Sequence, residues 1–260
     1  MSEEVHPRAD ELDGLSALDF VSLMHAEDAN AVEAIAPHLE QVARAVEAVA
    51  DRLRSGGRLH YFGAGTSGLV AAMDAAECPA TFGVAADLVQ AHTALDAGQE
   101  DDRILGQDAA RAAALRPSDA AVGVSASGRT AFVLGALEEA TARGTFTIVV
   151  TCNPRSRMSR GVDIAIDVET GPEVIAGSTR LKAGTVQKLV LNMLSTAVFT
   201  RLGHTHRGRM VGVVAANEKL RARAARIIAD LAGVSVDEAR KRLDEAGGDV
   251  RAALAGVRGR

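Results

Sequence analysis

The sequence predicts an α/β protein in three layers, a parallel β-sheet between two layers of helices, followed by a small helical tail. Three observations carry this expectation. Short apolar runs at 58–62, 84–90, 119–125, 145–152 and 162–168 alternate with helical stretches at 67–77, 101–115, 129–143 and 180–202. That is the pattern of strands covered on both faces by crossover helices. Glycine- and hydroxyl-rich turns fall where strand gives way to helix, and ligands of such sheets bind at the carboxyl ends of the strands. After residue 232 the pattern changes to short charged helices around Gly247-Gly248.

In chain order, residues 1–13 are polar and expected to be loose, and without an apolar core they make no signal peptide. A short helix is expected over Ala17–Glu27. Val32, Ile35, Leu39, Val42, Val46, Val49 and Leu53 then recur at alternating steps of three and four, which makes one apolar helix face. Pro37 either kinks that helix or sits in the first turn of a restarted one, and Ser55-Gly56-Gly57 ends it. The expected organisation is 1–57 as helices packed on the main domain, 58–232 as that domain, and 233–260 as the tail. An Arg-rich helix is expected over Asn217–Leu231, ended by Gly233. Ser235 with Glu238 fits a capping box.

Composition narrows the class of function. The 260 residues are 47% hydrophobic but only 3% aromatic, so Ala, Val, Leu and Ile must build the core. A net charge of −5 with both signs interspersed argues against a nucleic-acid partner. Cys78 and Cys152 make no disulfide framework and fit a reducing cytoplasm. No apolar run approaches the roughly 18 residues of a membrane span, so no membrane partner is expected. His204-x-His206 lacks a third ligand at suitable spacing, so no metal is expected.

The chemistry lies in the turns. Gly63-Ala64-Gly65-Thr66-Ser67-Gly68 joins the first buried strand to a helix. Its glycines admit close backbone approach, and the helix start offers unpaired N–H groups to an anion such as phosphate. The spacing also fits a dinucleotide fingerprint, with Asp87 as the distant acid, or a plain turn capped by Thr66. The segment Asp74–Pro79 is expected to bring a carboxylate near the same pocket. Ser125-Ala126-Ser127-Gly128-Arg129-Thr130 forms a second cradle of the same kind. A third turn, Gly177–Thr185, sets Ser178 beside the cations Arg180 and Lys182. Glu77 and Glu100 are the acid/base candidates. Glu77 lies among Ala76, Cys78 and Pro79, where poor solvation would keep it protonated; Glu100 precedes a helix whose dipole would favour its ionised form.

Read together and in order, GAGTSG, DAAECPATFG, VSASGRT, CNP, GPEVIAGSTRLKAGTVQKLVLNMLST and MVGVVAANEKL resemble the N-acetylmuramic acid 6-phosphate etherases. These belong to the sugar isomerase (SIS) domain proteins, and the match runs from about Leu15 to Leu231. The resemblance implies a flavodoxin-like SIS fold, a ubiquitin-associated-like tail, a homodimer and a cytoplasmic setting. It implies a phosphorylated amino sugar as substrate, with neither metal nor redox cofactor. Glu77 would be the proton donor to the departing lactyl oxygen and Glu100 the second catalytic glutamate. With the turns, the expected substrate-binding set is Gly65, Thr66, Ser67, Ser125, Ser127, Gly128, Arg129, Thr130, Ser178 and Lys182. Leu69, Ala76, Ala80 and Gly212 depart from the family pattern, and the stretch between Glu77 and Glu100 is shorter. Two related functions fit the same turns: an aldose–ketose phosphosugar isomerase, and a non-catalytic phosphosugar-binding regulator similar to the glucokinase regulatory protein.

Overall fold

The computed structural model describes residues 4–154, 156–213 and 218–255. Its strands are β1 (Leu59–Ala64), β2 (Val89–Ala94), β3 (Ala120–Ser125), β4 (Phe146–Thr151), β5 (Ile164–Asp167), β6 (Thr205–His206) and β7 (Arg209–Met210). Its helices are α1 (Ala17–Glu33), α2 (Leu39–Arg54), α3 (Gly65–Phe82), α4 (Ala97–Glu100), α5 (Arg103–Ala112), α6 (Ala131–Ala142), α7 (Lys182–Arg201), α8 (Glu218–Ala232), α9 (Val236–Glu245) and α10 (Val250–Ala255). Residues up to Ala75 with Asp87–Ser195 make one compact unit, and Ala76–Ala86 with those from Thr196 make a second. The division falls within α3 and α7.

In the first unit β2-β1-β3-β4-β5 pair in that order, all parallel. This is the flavodoxin-like winding, and its direction reverses between β1 and β3. β1 and β3 are buried along their whole length, which accounts for their nearly unbroken apolar character. Gly63 pairs with Val124, and Ser125 with Thr151. The turns after β1 and β3 therefore leave the sheet side by side at its carboxyl edge. Phe62 and Val149 pack against Phe132, Val133, Ala136 and Leu137 of α6. Aliphatic and alanine side chains supply nearly all of this core, as the composition required.

The second strand lies later than expected. Val84–Leu88 forms the connection, and β2 begins at Val89. β2 is an edge strand, so Gln90, His92 and Thr93 can stand where an inner strand carries aliphatic residues. The N-terminal segment is ordered into a 3₁₀ turn over Ala9–Gly14, beside an Arg8–Glu11 ion pair of 2.8 Å. α1 runs six residues past Glu27 to Glu33. Its Ser16 hydroxyl caps it by accepting the Asp19 N–H. Pro37 lies in a separate 3₁₀ turn, Ala36–His38, so the helix restarts rather than kinks. Ile35, Val42, Val46, Val49 and Leu53 are buried as the periodicity implied, whereas Val32 and Leu39 remain exposed. α3 continues through Pro79 to Phe82, beyond its expected end.

In the second unit the Phe82 ring stacks on Phe199, 4.6 Å between centroids, and His204 meets Phe199 edge-on. The His204 Nδ1–H donates to the Phe82 carbonyl at 2.6 Å. A side chain at Gly212 would place its Cβ 2.1 Å from that same carbonyl oxygen. This backbone leaves no room for a side chain at Gly212. α8, α9 and α10 close around Ala225, Ile228, Leu243 and Val250. Ser235 caps α9 by accepting the Glu238 N–H, while the Glu238 side chain turns to Arg242 and not back to the cap. Within the expected MVGVVAANEKL motif and the Asn217–Leu231 helix, Val214–Asn217 lie outside the described residues. No described helix is long and apolar enough to cross a membrane.

Candidate active site

Four segments of the first unit converge on one cleft of about 280 Å³ at the carboxyl edge of the sheet. The turn into α3 contributes Gly65, Thr66 and Ser67. The turn after β3 contributes Ser127, Arg129 and Thr130. Glu100 and Asp101 come from the end of α4, and Gly177 and Thr179 from the turn before α7. The cleft stands at the reversal of strand order, where the physics of parallel sheets places ligands.

The first turn is shaped by Gly65, whose φ of +51° lies in the left-handed region. Glu100 hangs over it, with Oε2 3.8 Å from the point where a Cβ on Gly65 would stand. The first N–H groups of α3 have no partner within the helix and face a site lined by the Thr66 and Ser67 hydroxyls. The second turn is held from inside. Ser125, buried, shares a 2.9 Å hydrogen bond with the Thr130 hydroxyl and accepts the Gly128 N–H at 3.1 Å. Gly128 has φ +64°, and a Cβ there would sit 2.1 Å from the Ser156 hydroxyl. Asn153 and Ser156 fasten the turn by donating to the Ser127 and Gly128 carbonyls. Ser125 and Gly128 thus shape the loop, and Ser127, Arg129 and Thr130 face the cleft. Thr130 precedes α6 without a side-chain bond into it, which leaves that helix start open to an anion. The Arg129 side chain is exposed and makes no ion pair among the described residues.

The third turn differs from its expected role. The buried Glu173 carboxylate accepts the Lys182 and Ala183 N–H groups at 3.0 Å each, so the start of α7 already holds its anion. The Lys182 side chain is buried and bonded to Glu27 of α1. Burial pushes the Glu27 carboxyl up, but the hydrogen bond and charge of Lys182, with those of His6, outweigh it and hold the group below its ordinary value. Lys182 and Ser178 are not among the residues lining the cleft; Gly177 and Thr179 are.

Other candidates fall elsewhere. Asp74 is buried and accepts hydrogen bonds from the Tyr61 hydroxyl at 2.8 Å and the Ser195 hydroxyl at 2.9 Å, as part of the core. Asp87 is exposed and precedes β2, at the amino end of the strand. It cannot hold a ribose at the carboxyl edge, and the dinucleotide reading lapses. Glu100 ends α4, and the cap of α5 is Asp102, which accepts the Leu105 N–H; the dipole expected behind Glu100 belongs to a different position. Glu77 lies on α3 twelve residues after Gly65, exposed, so the desolvation expected from its neighbours is not realised. Both cysteines are buried. Burial and then the charge of Glu173 push the Cys152 thiol up to about 12, an unreactive setting. Among the described residues no three His, Cys, Asp or Glu side chains group to hold a metal ion.

The sheet has the order 2-1-3-4-5 with hydroxyl-lined turns at its switch point, and the SIS domain model matches residues 25–152. The fold is that of the phosphoheptose isomerase of Neisseria gonorrhoeae, with a TM-score of 0.54 at 20% identity over 71% of this chain and 100% of that one. A phosphoheptose isomerase from Francisella tularensis gives 0.51 at 17% identity, over 72% and 100%. Sequence relatives are nearer. The N-acetylmuramic acid 6-phosphate etherase of Thermobifida fusca is 49% identical over 94% of this chain and 82% of its own. That of Trichormus variabilis is 48% identical over 98% and 85%. The etherase of Streptomyces avermitilis is 44% identical over 99% and 86%. The chain belongs to the N-acetylmuramic acid 6-phosphate etherase family.

Proposed function

We propose that this protein cleaves the lactyl ether of N-acetylmuramic acid 6-phosphate, giving N-acetylglucosamine 6-phosphate and D-lactate. The observation that carries the reading is the convergence of the Gly65–Ser67 and Ser127–Thr130 turns with Glu100 on one cleft, in a chain of this family. The two helix starts and the hydroxyls of Thr66, Ser67, Ser127 and Thr130 bind the phosphate, with Arg129 at the rim.

The open-chain aldehyde makes the C2 proton acidic, because it lies α to the carbonyl. Glu100 takes this proton and the C3–O bond breaks; Glu77 does not line this chain's own cleft, and in the homodimer proposed below the partner subunit's Glu77 protonates the departing lactyl oxygen. Water then adds at C3 of the unsaturated aldehyde and C2 is reprotonated, so one water is consumed per ether cleaved. This sequence needs no metal or redox step, and the proposed setting is the cytoplasm. Incubation with N-acetylmuramic acid 6-phosphate should release one D-lactate per N-acetylglucosamine 6-phosphate. Binding of the phosphosugar without lactate would instead make the protein a regulator.

The proposed working form is a homodimer. α3 exposes Leu69, Met73, Ala76, Glu77 and Ala80 at helical spacing along one face. Leu69 is 57% and Met73 42% exposed, an unusual load of apolar surface beside a candidate acid. A second copy covering this face would withdraw Glu77 from water, as a general acid requires. Light scattering should give twice the chain mass, and Met73→Glu should return it to one chain with loss of lactate release. A wild-type monomer with full activity would contradict the dimer.

A further inference from the structure

We propose that Glu173 is a positioning residue for the cleft: its buried carboxylate locks the start of α7 and thereby holds Thr179 at the cleft wall, where the Thr179 hydroxyl binds the substrate. The inference rests on the reading that this cleft takes the phosphosugar.

A helix start has four N–H groups without intrahelical partners, and their fates at α7 are fully accounted for. Lys182 and Ala183 donate to the two oxygens of Glu173 at 3.0 Å each. The Gly184 N–H donates to the Thr179 carbonyl at 3.0 Å, and the Thr185 N–H to the Leu181 carbonyl at 3.0 Å. The residue that lines the cleft is therefore bonded directly to the turn that Glu173 clamps. Thr179 is further fixed by its own N–H, which donates to the Gly177 carbonyl at 3.0 Å. Gly184 of α7 faces both elements: a Cβ there would lie 3.4 Å from the Thr66 methyl and 3.5 Å from the Thr179 carbonyl, ordinary van der Waals spacing. Lys182 is drawn away from the cleft by Glu27, which leaves Gly177 and Thr179 as the cleft-lining residues of this segment. Glu173 itself is fully buried and absent from that lining. A substrate would not touch it, so its influence must pass through α7 and Thr179.

A double-mutant cycle tests this, with kcat and KM for lactate release measured on wild type, Thr179→Val, Glu173→Gln and the double variant. Each is assayed well below its own melting temperature. Thr179→Val should lower kcat/KM by about tenfold or more, the scale of one lost hydrogen bond to a charged group, mainly through KM. Glu173→Gln, which turns an amide against one of the two N–H donors, should do the same. The double variant should be no worse than the more damaged single, because both remove one arrangement. A merely structural Glu173 would lower the melting temperature and leave kcat/KM of the folded protein unchanged, or would multiply with Thr179→Val; either result overturns the proposal. If Glu173→Gln does not fold, Glu173→Asp keeps the charge, withdraws the carboxylate by one methylene, and is read in the same cycle. Ser67→Ala separates the two levels of inference. An effect of Ser67→Ala with an inert Thr179→Val rejects the role of Thr179 alone, and inert variants at both positions reject the cleft.

Discussion

Glu77→Gln is expected to slow lactate release by about 10²–10⁴-fold, the usual worth of general acid–base help, while phosphosugar binding survives. The departing lactyl oxygen would otherwise leave as an alkoxide, and a glutamine amide cannot donate a proton to it. The substitution is close to isosteric, and the Gly65–Ser67 and Ser127–Thr130 turns that bind the phosphate are untouched. N-acetylglucosamine 6-phosphate should therefore bind the variant as it binds wild type. Exposure of Glu77 in the single chain sharpens the test: the effect should be present only in the assembled form, if covering α3 is what dries the acid. Lactate release at the wild-type rate from Glu77→Gln would remove this residue from the mechanism.

The alternation of apolar runs and helical stretches was enough to read the parallel sheet, because inner strands covered on both faces cannot avoid an aliphatic signature. β2 escaped that logic: as an edge strand it carries Gln90, His92 and Thr93, and the nearby apolar Val84–Leu88 drew the expectation off register. The first two turns were legible because glycine and hydroxyl residues at a strand-to-helix junction have few other uses. Which hydroxyls face the cleft was not legible. Ser125 and Ser127 are two residues apart in one turn and each accepts an N–H within it, yet only Ser127 lines the cleft. In the third turn Ser178 and Lys182 were the residues singled out, and Thr179 lines the cleft instead. The missing information was Glu173, nine residues before Lys182, which satisfies the start of α7 and frees that turn from binding an anion. Asp101 at the cleft was not legible either, because the short α4 that precedes it has no signature in four residues.

Acid should destabilise the first unit well above the range where carboxylates titrate, and His60 is the reason. It is fully buried in β1, its Nδ1 3.1 Å from His92 Nε2, one donating and the other accepting. The His92 ring stacks between His60 and Phe62. His60 Nε2 has no hydrogen-bond partner and lies 3.8 Å from Asp119, which is bonded to Arg58 and Arg116. Burial, then the charges of His92 and Arg58, push His60 down from 6.5 to about 3, against the pull of Asp119. His92 is lowered by burial and by Arg58. The folded state therefore keeps His60 neutral, whereas the unfolded chain binds its proton near pH 6.5. Stability is full above pH 6.5 and declines as pH falls from there toward 3, by about 1.4 kcal/mol per unit for one such group. Between pH 6.5 and pH 5 His60 alone should cost about 2 kcal/mol, and His92 steepens the decline. Burial raises the Asp119 carboxyl, but its bonds to Arg116 and Arg58 prevail and hold it below its ordinary value, so its own contribution is lost only at lower pH. Hydrogen exchange of the β1 and β3 amides reads the opening of this unit directly. Protection corrected for the intrinsic pH dependence should fall at least tenfold from pH 6.5 to pH 5 in wild type. In His60→Phe, which keeps a buried ring beside His92 but cannot titrate, the fall should be markedly smaller; equal slopes in the two proteins would acquit His60.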